Sequence, residues 1–242
     1  RNYSVDKEEL PSNHLYKEMI KVISFFKPKG FIFENVRGLL NSKWTKNGEK
    51  GEIFKDVLKQ FSKLDNYYQD YKLVHCKDYG VPQNRPRVLL IGVRKDIDFK
   101  PDKNKPCSGL LPLETKDYPH PEELLSDLLD KNYDKEFVSK NYLCSPKNKI
   151  QKKLRFLSSS NYLKKGDKLS EQEYSKHSNN IVKKFTSMIK NEGKIPKEFK
   201  TKKFSQRLIP KKWNNKGPNI TATSLPDDYV HYSQPRSLTV RE

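Results

Sequence analysis

The chain has 242 residues, enough for one large domain or two small ones, and its 49 basic and 30 acidic side chains give a formal charge of +19 and a pI near 9.6. That balance makes a polyanion the first expected partner, with the excess leaning to the later part: residues 1–100 hold 20 basic and 13 acidic side chains, residues 101–242 hold 29 and 17. Excluded are a membrane-spanning helix, because no apolar run nears the roughly twenty residues a span needs, and a zinc or disulfide framework, because Cys76, Cys107 and Cys144 stand in no CxxC or CxxH spacing.

In chain order, residues 1–13 are polar, and Pro11, Ser12 and Asn13 offer turn and N-cap chemistry. Leu15, Met19, Ile20, Val22, Ile23 and Phe26 then recur at helical spacing, which predicts an amphipathic helix packed on a sheet and closed by Pro28. Phe31, Ile32 and Phe33 form a short apolar run, as expected of a strand buried in a parallel sheet. A loop over residues 38–50 precedes a second helix marked by Ile53, Phe54, Val57, Leu58 and Phe61, followed by strands at 71–76 and 88–93. This alternation predicts α/β architecture, half of a doubly wound sheet.

From residue 100 the character changes, and prolines at 101, 106, 112, 119 and 121 mark a crossover into another unit. Leu124, Leu125, Leu128 and Leu129 predict a short helix; Ile181, Val182, Phe185, Met188 and Ile189 predict another, ended by Gly193. The rest interleaves basic, aromatic and hydroxyl residues, as in Lys152-Lys153-Leu154-Arg155-Phe156, Lys203-Phe204-Ser205-Gln206-Arg207 and Lys211-Lys212-Trp213. Such runs suit phosphate contacts along a groove.

Two stretches carry chemistry. The run Phe31-Ile32-Phe33 delivers Glu34, Asn35 and a glycine turn at Gly38 to the carboxyl edge of the sheet, where open α/β folds place ligands. A carboxylate there either serves a site, caps the next turn or pairs with Arg37. About fifty residues on, Asp78-Tyr79-Gly80-Val81-Pro82-Gln83-Asn84-Arg85-Pro86-Arg87 runs into the strand that opens at Val88. In extended backbone, Arg85 and Arg87 point to the same side.

With Glu34 and Asn35, this loop resembles the cytosine-C5 DNA methyltransferases. That family carries a Glu-Asn-Val strand end and a Tyr-Gly-(Ile/Val)-Pro-Gln-x-Arg-x-Arg loop ahead of a strand. Arg236-Ser237-Leu238-Thr239-Val240-Arg241-Glu242 looks like its Arg-x-Leu-Thr-x-Arg-Glu segment. The resemblance implies part of a doubly wound S-adenosylmethionine-dependent methyltransferase sheet, with the last two strands antiparallel. To this it adds a smaller, mostly irregular or β target-recognition domain. It assigns residues 1–100 to a partial catalytic domain, 101–232 to the recognition domain, and 233–242 to a return into the catalytic domain.

Implied too are site-specific methylation of a flipped cytosine in double-stranded DNA, a bacterial restriction–modification setting, and S-adenosylmethionine as cofactor. By this resemblance Glu34 holds a proton near N3 of the base, where desolvation would favour the protonated carboxyl. Arg87 and Arg85 bind the base O2 and orient Glu34; Asn35 and Gln83 serve either catalysis or the local backbone. Leu15 lies near the methyl donor. Lys203, Arg207, Lys211, Lys212 and Arg236 are the candidate DNA contacts. The family's Pro-Cys-Gln nucleophile is expected upstream of Arg1, or on a partner chain, and Pro106-Cys107 is read as coincidence. This chain is thus expected to be an interior fragment that is inactive alone, from a protein that is monomeric when intact. Free thiols and the lack of a signal peptide point to the cytoplasm, and the DNA partner that the resemblance implies points to the nucleoid. Two alternatives remain open: a non-catalytic DNA-binding subunit, and one chain of a split methyltransferase.

Overall fold

The computed structural model describes residues 6–115, 118–158, 161–201, 205–213 and 228–242. These form two compact units, one from the described residues of Arg1–Tyr79 and Arg85–Lys116, the other from those of Gly80–Asn84 and Asp117–Glu242.

In the first unit, helix α1 (Leu15–Phe26) ends where Lys27, ahead of Pro28, leaves the helical conformation for a left-handed one (φ 47°), its N–H on the Ile23 carbonyl at 2.9 Å. Strand β1 (Gly30–Val36), helix α2 (Glu52–Phe61) and strands β2 (Tyr67–His75) and β3 (Pro86–Arg94) follow. The sheet runs in the order β1-β3-β2 with both pairings antiparallel. The pairing of β2 with β3 matches expectation. β1 does not read as a strand buried on both faces: among the described residues its partner is β3, and exposure alternates along it, 8% at Phe31 and 61% at Ile32. The physical reason is one-sided cover, since α1 and α2 pack against the Phe31 and Phe33 face.

That face is the core. Phe61 is wholly buried against Phe31 and Phe33, with ring centroids 5.5 and 5.3 Å away. Gly92 pairs with Phe31 across the sheet, and a Cβ there would come within 2.2 Å of the phenyl ring. The glycine lets the ring lie across the central strand. Helix α2 buries Ile53, Phe54, Val57 and Phe61, as its period predicts. Helix α1 buries Tyr16 and Ile23, with Met19 and Ile20 packed beside them, while Leu15, Val22, Phe25 and Phe26 are exposed. It carries two adjacent apolar stripes, and the one at 16, 19, 20 and 23 faces the sheet. After β3 the chain folds back on β2, where Ser108 Oγ donates to Asp70 at 2.6 Å and Lys72 pairs with Glu114 at 2.7 Å.

The second unit is mostly irregular. It holds the short helices α3 (Pro121–Leu125) and α4 (Lys149–Leu154), and an antiparallel hairpin of β4 (Phe156–Ser158) and β5 (Asn161–Tyr162). Helix α5 (Asn179–Lys190) and the parallel pair β6 (Arg207–Leu208) and β7 (Tyr229–Val230) complete it. α3 stops before Leu128 and Leu129, so the leucine run is only partly helical. α5 buries Phe185 and Met188 against Val230. Behind it Gly193, at φ 88°, donates to the Met188 carbonyl at 2.7 Å, the role its sequence position predicts.

Candidate active site

The register of β1 on β3 decides which motif side chains meet. Glu34 lies opposite Leu89 and Val36 opposite Arg87, so Glu34 and Arg87 share a face one diagonal step apart. Arg87 Nε stands 2.5 Å from Glu34 Oε1, and Arg87 Nη1 donates to the Pro86 carbonyl at 2.8 Å. Glu34 thus pairs with Arg87. The buried carboxyl expected at this strand end is not found: the Glu34 side chain is 53% exposed and that of Arg87 13%. The covering helices lie on the other face of β1, which leaves this one open. The result is a cation pinned from behind by a backbone carbonyl, beside a carboxylate that reaches solvent. Such a pair can present one charged donor and one proton-sharing oxygen to the edge of a planar ligand.

Asn35 points to the covered face, and its Oδ1 accepts the Val36 N–H at 2.8 Å. It lines a cavity of about 460 Å³ together with Leu15, Tyr16, Phe33, Leu39 and Val57. Leu15, exposed on α1, is therefore in the wall of a ligand-sized space. Tyr16, at the same wall, donates to Asp56 Oδ2 at 2.6 Å. Burial, then Asp56, pushes the tyrosine hydroxyl well above its ordinary value. Against burial, the hydrogen bonds from Tyr16 and Gln60 hold the Asp56 carboxyl below its ordinary range. Periodicity alone does not single out this pair; its one signal in the sequence is a tyrosine in the buried stripe of α1, whose hydroxyl needs a partner.

The remaining candidates are dispersed. Arg85 belongs to the first unit, half-buried, with its carbonyl accepting the Cys76 N–H at 3.2 Å. Gln83 belongs to the second, its N–H on the Val81 carbonyl at 2.7 Å. Arg207, Lys211 and Lys212 are exposed, with the Arg207 guanidinium 5.7 Å from the Tyr229 ring. Lys203 lies outside the described residues. Cys107 is buried, and that burial, with Asp70, pushes its thiol up to about 11, the wrong direction for a thiolate nucleophile.

Arg236 corrects an expectation. It is 1% exposed and donates from Nη1 and Nη2 to both Glu242 oxygens, at 2.7 and 2.6 Å, with Tyr174 under its guanidinium at 4.8 Å. A guanidinium so enclosed holds the Arg-x-Leu-Thr-x-Arg-Glu segment closed and is not available to a phosphate. Thr239 N–H also donates to Glu242, at 3.0 Å.

His231 is buried beside this pair, its Nδ1 accepting the N–H groups of Ser233 and Gln234 at 3.1 Å each. Burial first, then Arg236, pulls its pKa down to about 3, with Glu242 opposing. In the unfolded chain the imidazole titrates near its ordinary value of 6.5, so below that pH the unfolded state gains a proton that the folded state refuses. Stability therefore falls as pH drops from the unfolded value towards 3. Between pH 7 and 5 the expected loss is about 2 kcal/mol. Urea unfolding across that window should show it, and His231→Asn, which keeps an acceptor for the two N–H groups, should flatten the slope. Equal slopes would refute the assignment.

The β1–β3 pairing thus joins the Glu-Asn strand end to the arginine strand, with a ligand-sized cavity beside Asn35. The family model described as C-5 cytosine-specific DNA methylase matches residues 4–242. The chain belongs to that family. Among curated relatives, it is 33% identical over 146 residues to the type II methyltransferase M.DdeI of Desulfomicrobium norvegicum, covering 60% of this chain and 33% of that protein. It is 36% identical over 97 residues to the type II methyltransferase M.BsuRI of Bacillus subtilis, 40% of this chain and 21% of that one. These matches span a third or less of those relatives' length. A solved structure described as a DNA modification methyltransferase encoded within an E. coli prophage superposes with a TM-score of 0.54 at 20% identity, over 94% of this chain and 61% of that one. That likeness supports the α/β fold. Among the described residues, no helix is long and apolar enough to cross a membrane.

Proposed function

We propose that the polypeptide carrying this chain transfers a methyl group from S-adenosylmethionine to carbon 5 of a flipped cytosine in a specific sequence of duplex DNA. The observation that carries this reading is the Glu34–Arg87 pair at the β1 and β3 strand ends of a chain in the C-5 cytosine methylase family. Carbon 5 is a poor nucleophile until a thiolate adds to carbon 6, which pushes electron density onto N3 and O2 of the ring. Glu34 shares a proton at N3, and Arg87 donates to O2, where the charge collects. Both groups need the base out of the stack, which is the reason for flipping. The half-open Glu34 carboxylate becomes desolvated only when the base covers it.

The cavity beside Asn35 fits the donor: its volume is right for a small ligand, and its apolar wall, Leu15 included, suits a purine, with the Asn35 and Tyr16 polar groups at hand. Bound there, S-adenosylmethionine would supply the methyl electrophile. Cys107 is ill suited to be the nucleophile, so that thiolate belongs elsewhere in the polypeptide or on a partner chain. The second unit, with exposed Arg207, Lys211 and Lys212, serves as the recognition domain, and the protein works at the bacterial nucleoid.

The test is transfer of labelled methyl groups to unmethylated duplex DNA by the native polypeptide, with mass spectrometry of the product base. 5-Methylcytosine is the expected result. DNA binding without any modified base would replace this reading with a non-catalytic DNA-binding subunit, or one chain of a split enzyme. Most of the affinity should come from phosphate neutralisation, so it should fall roughly a thousandfold or more between about 50 and 200 mM salt. A flat salt profile in a filter-binding titration would count against the basic surface as the footprint.

A further inference from the structure

We propose that the β4–β5 hairpin, with α4 ahead of it, is an apolar wedge that the second unit presses against the bases of duplex DNA. This inference rests on the DNA partner proposed above. Phe156 and Leu157 are consecutive on β4 and so point to opposite faces of the strand, yet they are 60% and 57% exposed; Leu154, at the end of α4, is also exposed. A strand with water on both faces has no folding reason to carry phenylalanine and leucine side by side.

The mount beneath is rigid. Asn148 caps α4 by accepting the Gln151 N–H at 2.9 Å, and Gln151, fully buried, donates to the Glu123 carbonyl at 2.7 Å. Arg155, the residue directly before Phe156, is buried in an ion pair with Asp127, donates to the Cys144 carbonyl at 2.9 Å and lies 3.7 Å from the centroid of the Tyr142 ring. Side chains held out on such a base lose little further freedom on binding.

The rim gives the partner's charge. Between residues 147 and 168 stand eight basic residues and one acidic one, and Lys149, Lys152, Lys153, Lys164 and Lys165 are exposed. A second copy of so cationic a surface would be repelled, whereas a duplex offers phosphates to the lysines and base surfaces to the apolar centre. Phe156 and Leu157 are thus assigned to base contact, and the lysines to the backbone.

The test uses the native polypeptide and a duplex that it selects from a random pool. Phe156→Ser/Leu157→Ser should bind about tenfold to a hundredfold more weakly with an unchanged salt slope, because no phosphate contact is lost. Lys149→Ala/Lys152→Ala/Lys153→Ala should instead lower the slope, by roughly 0.9 for each phosphate contact removed. Thermal unfolding of the serine variant should match the wild type, since both side chains are exposed. Wild-type affinity in the serine variant, with the lysine variant weakened, would overturn the wedge and leave the DNA reading standing; a wild type that selects no duplex would overturn both. A lowered unfolding temperature, a loss of self-association in sedimentation, or a loss confined to binding of anionic lipid vesicles would assign the hairpin to another occupant and refute the proposal.

Discussion

Glu34→Gln is expected to leave DNA and cofactor binding intact and to cut the methylation rate about a hundredfold to ten-thousandfold, the range general acid catalysis supplies. The amide still donates a hydrogen bond towards N3, but it cannot share a proton as the ring gains electron density. Arg87→Ala should cost a similar factor, because it removes the charged donor that the Pro86 carbonyl holds in place. Both groups act on one developing charge, so the double variant should lose less than the product of the single losses. The competing view, that the pair merely ties β1 to β3, makes a different forecast. With the Glu34 side chain 53% exposed, the pair contributes at most about 1 kcal/mol to the fold. Single-turnover methylation measured beside thermal unfolding separates the two. Stable, slow variants support the catalytic reading; variants with near-normal turnover would end it.

Much of this site was legible in the chain. The motif resemblance alone linked Glu34 with Arg87; the antiparallel register of β1 on β3, which supplies the diagonal contact, is not stated by an apolar run that suggests a parallel sheet. Gly193 was legible because a helix end needs a residue that tolerates positive φ. Burial was harder to read. The apolar run at residues 31–33 looked two-sided, since a strand's exposure depends on what covers its second face, which no local pattern states. The stripe of α1 had the same ambiguity, with two apolar faces and one sheet. The Tyr16–Asp56 bond joins residues forty apart in sequence, beyond the reach of periodicity. Arg236 was misplaced for a related reason: a basic residue near a DNA-binding region looks like a phosphate contact until a carboxylate six residues on is found to enclose it.

Arg236→Ala is the substitution expected to damage the second unit most. It strips the two guanidinium donors from Glu242, a carboxylate that is itself fully buried, and leaves it the Thr239 N–H, the Gln172 amide and His231 Nε2 at 3.9 Å. Removing one partner of a buried pair costs about 3–5 kcal/mol because the other charge is stranded. Burial, no longer opposed by the guanidinium, then favours the protonated Glu242 carboxyl, so the loss should ease as pH falls. Arg236→Met/Glu242→Leu, which removes both charges together, should be less destabilising than Arg236→Ala alone. Urea unfolding of the three variants gives the ranking. Were Arg236 instead a phosphate contact, Arg236→Ala would leave the unfolding midpoint unchanged and reduce the salt slope of DNA binding by about one. Its 1% exposure argues that the opposite pair of results will be found, a lowered midpoint with an unchanged slope.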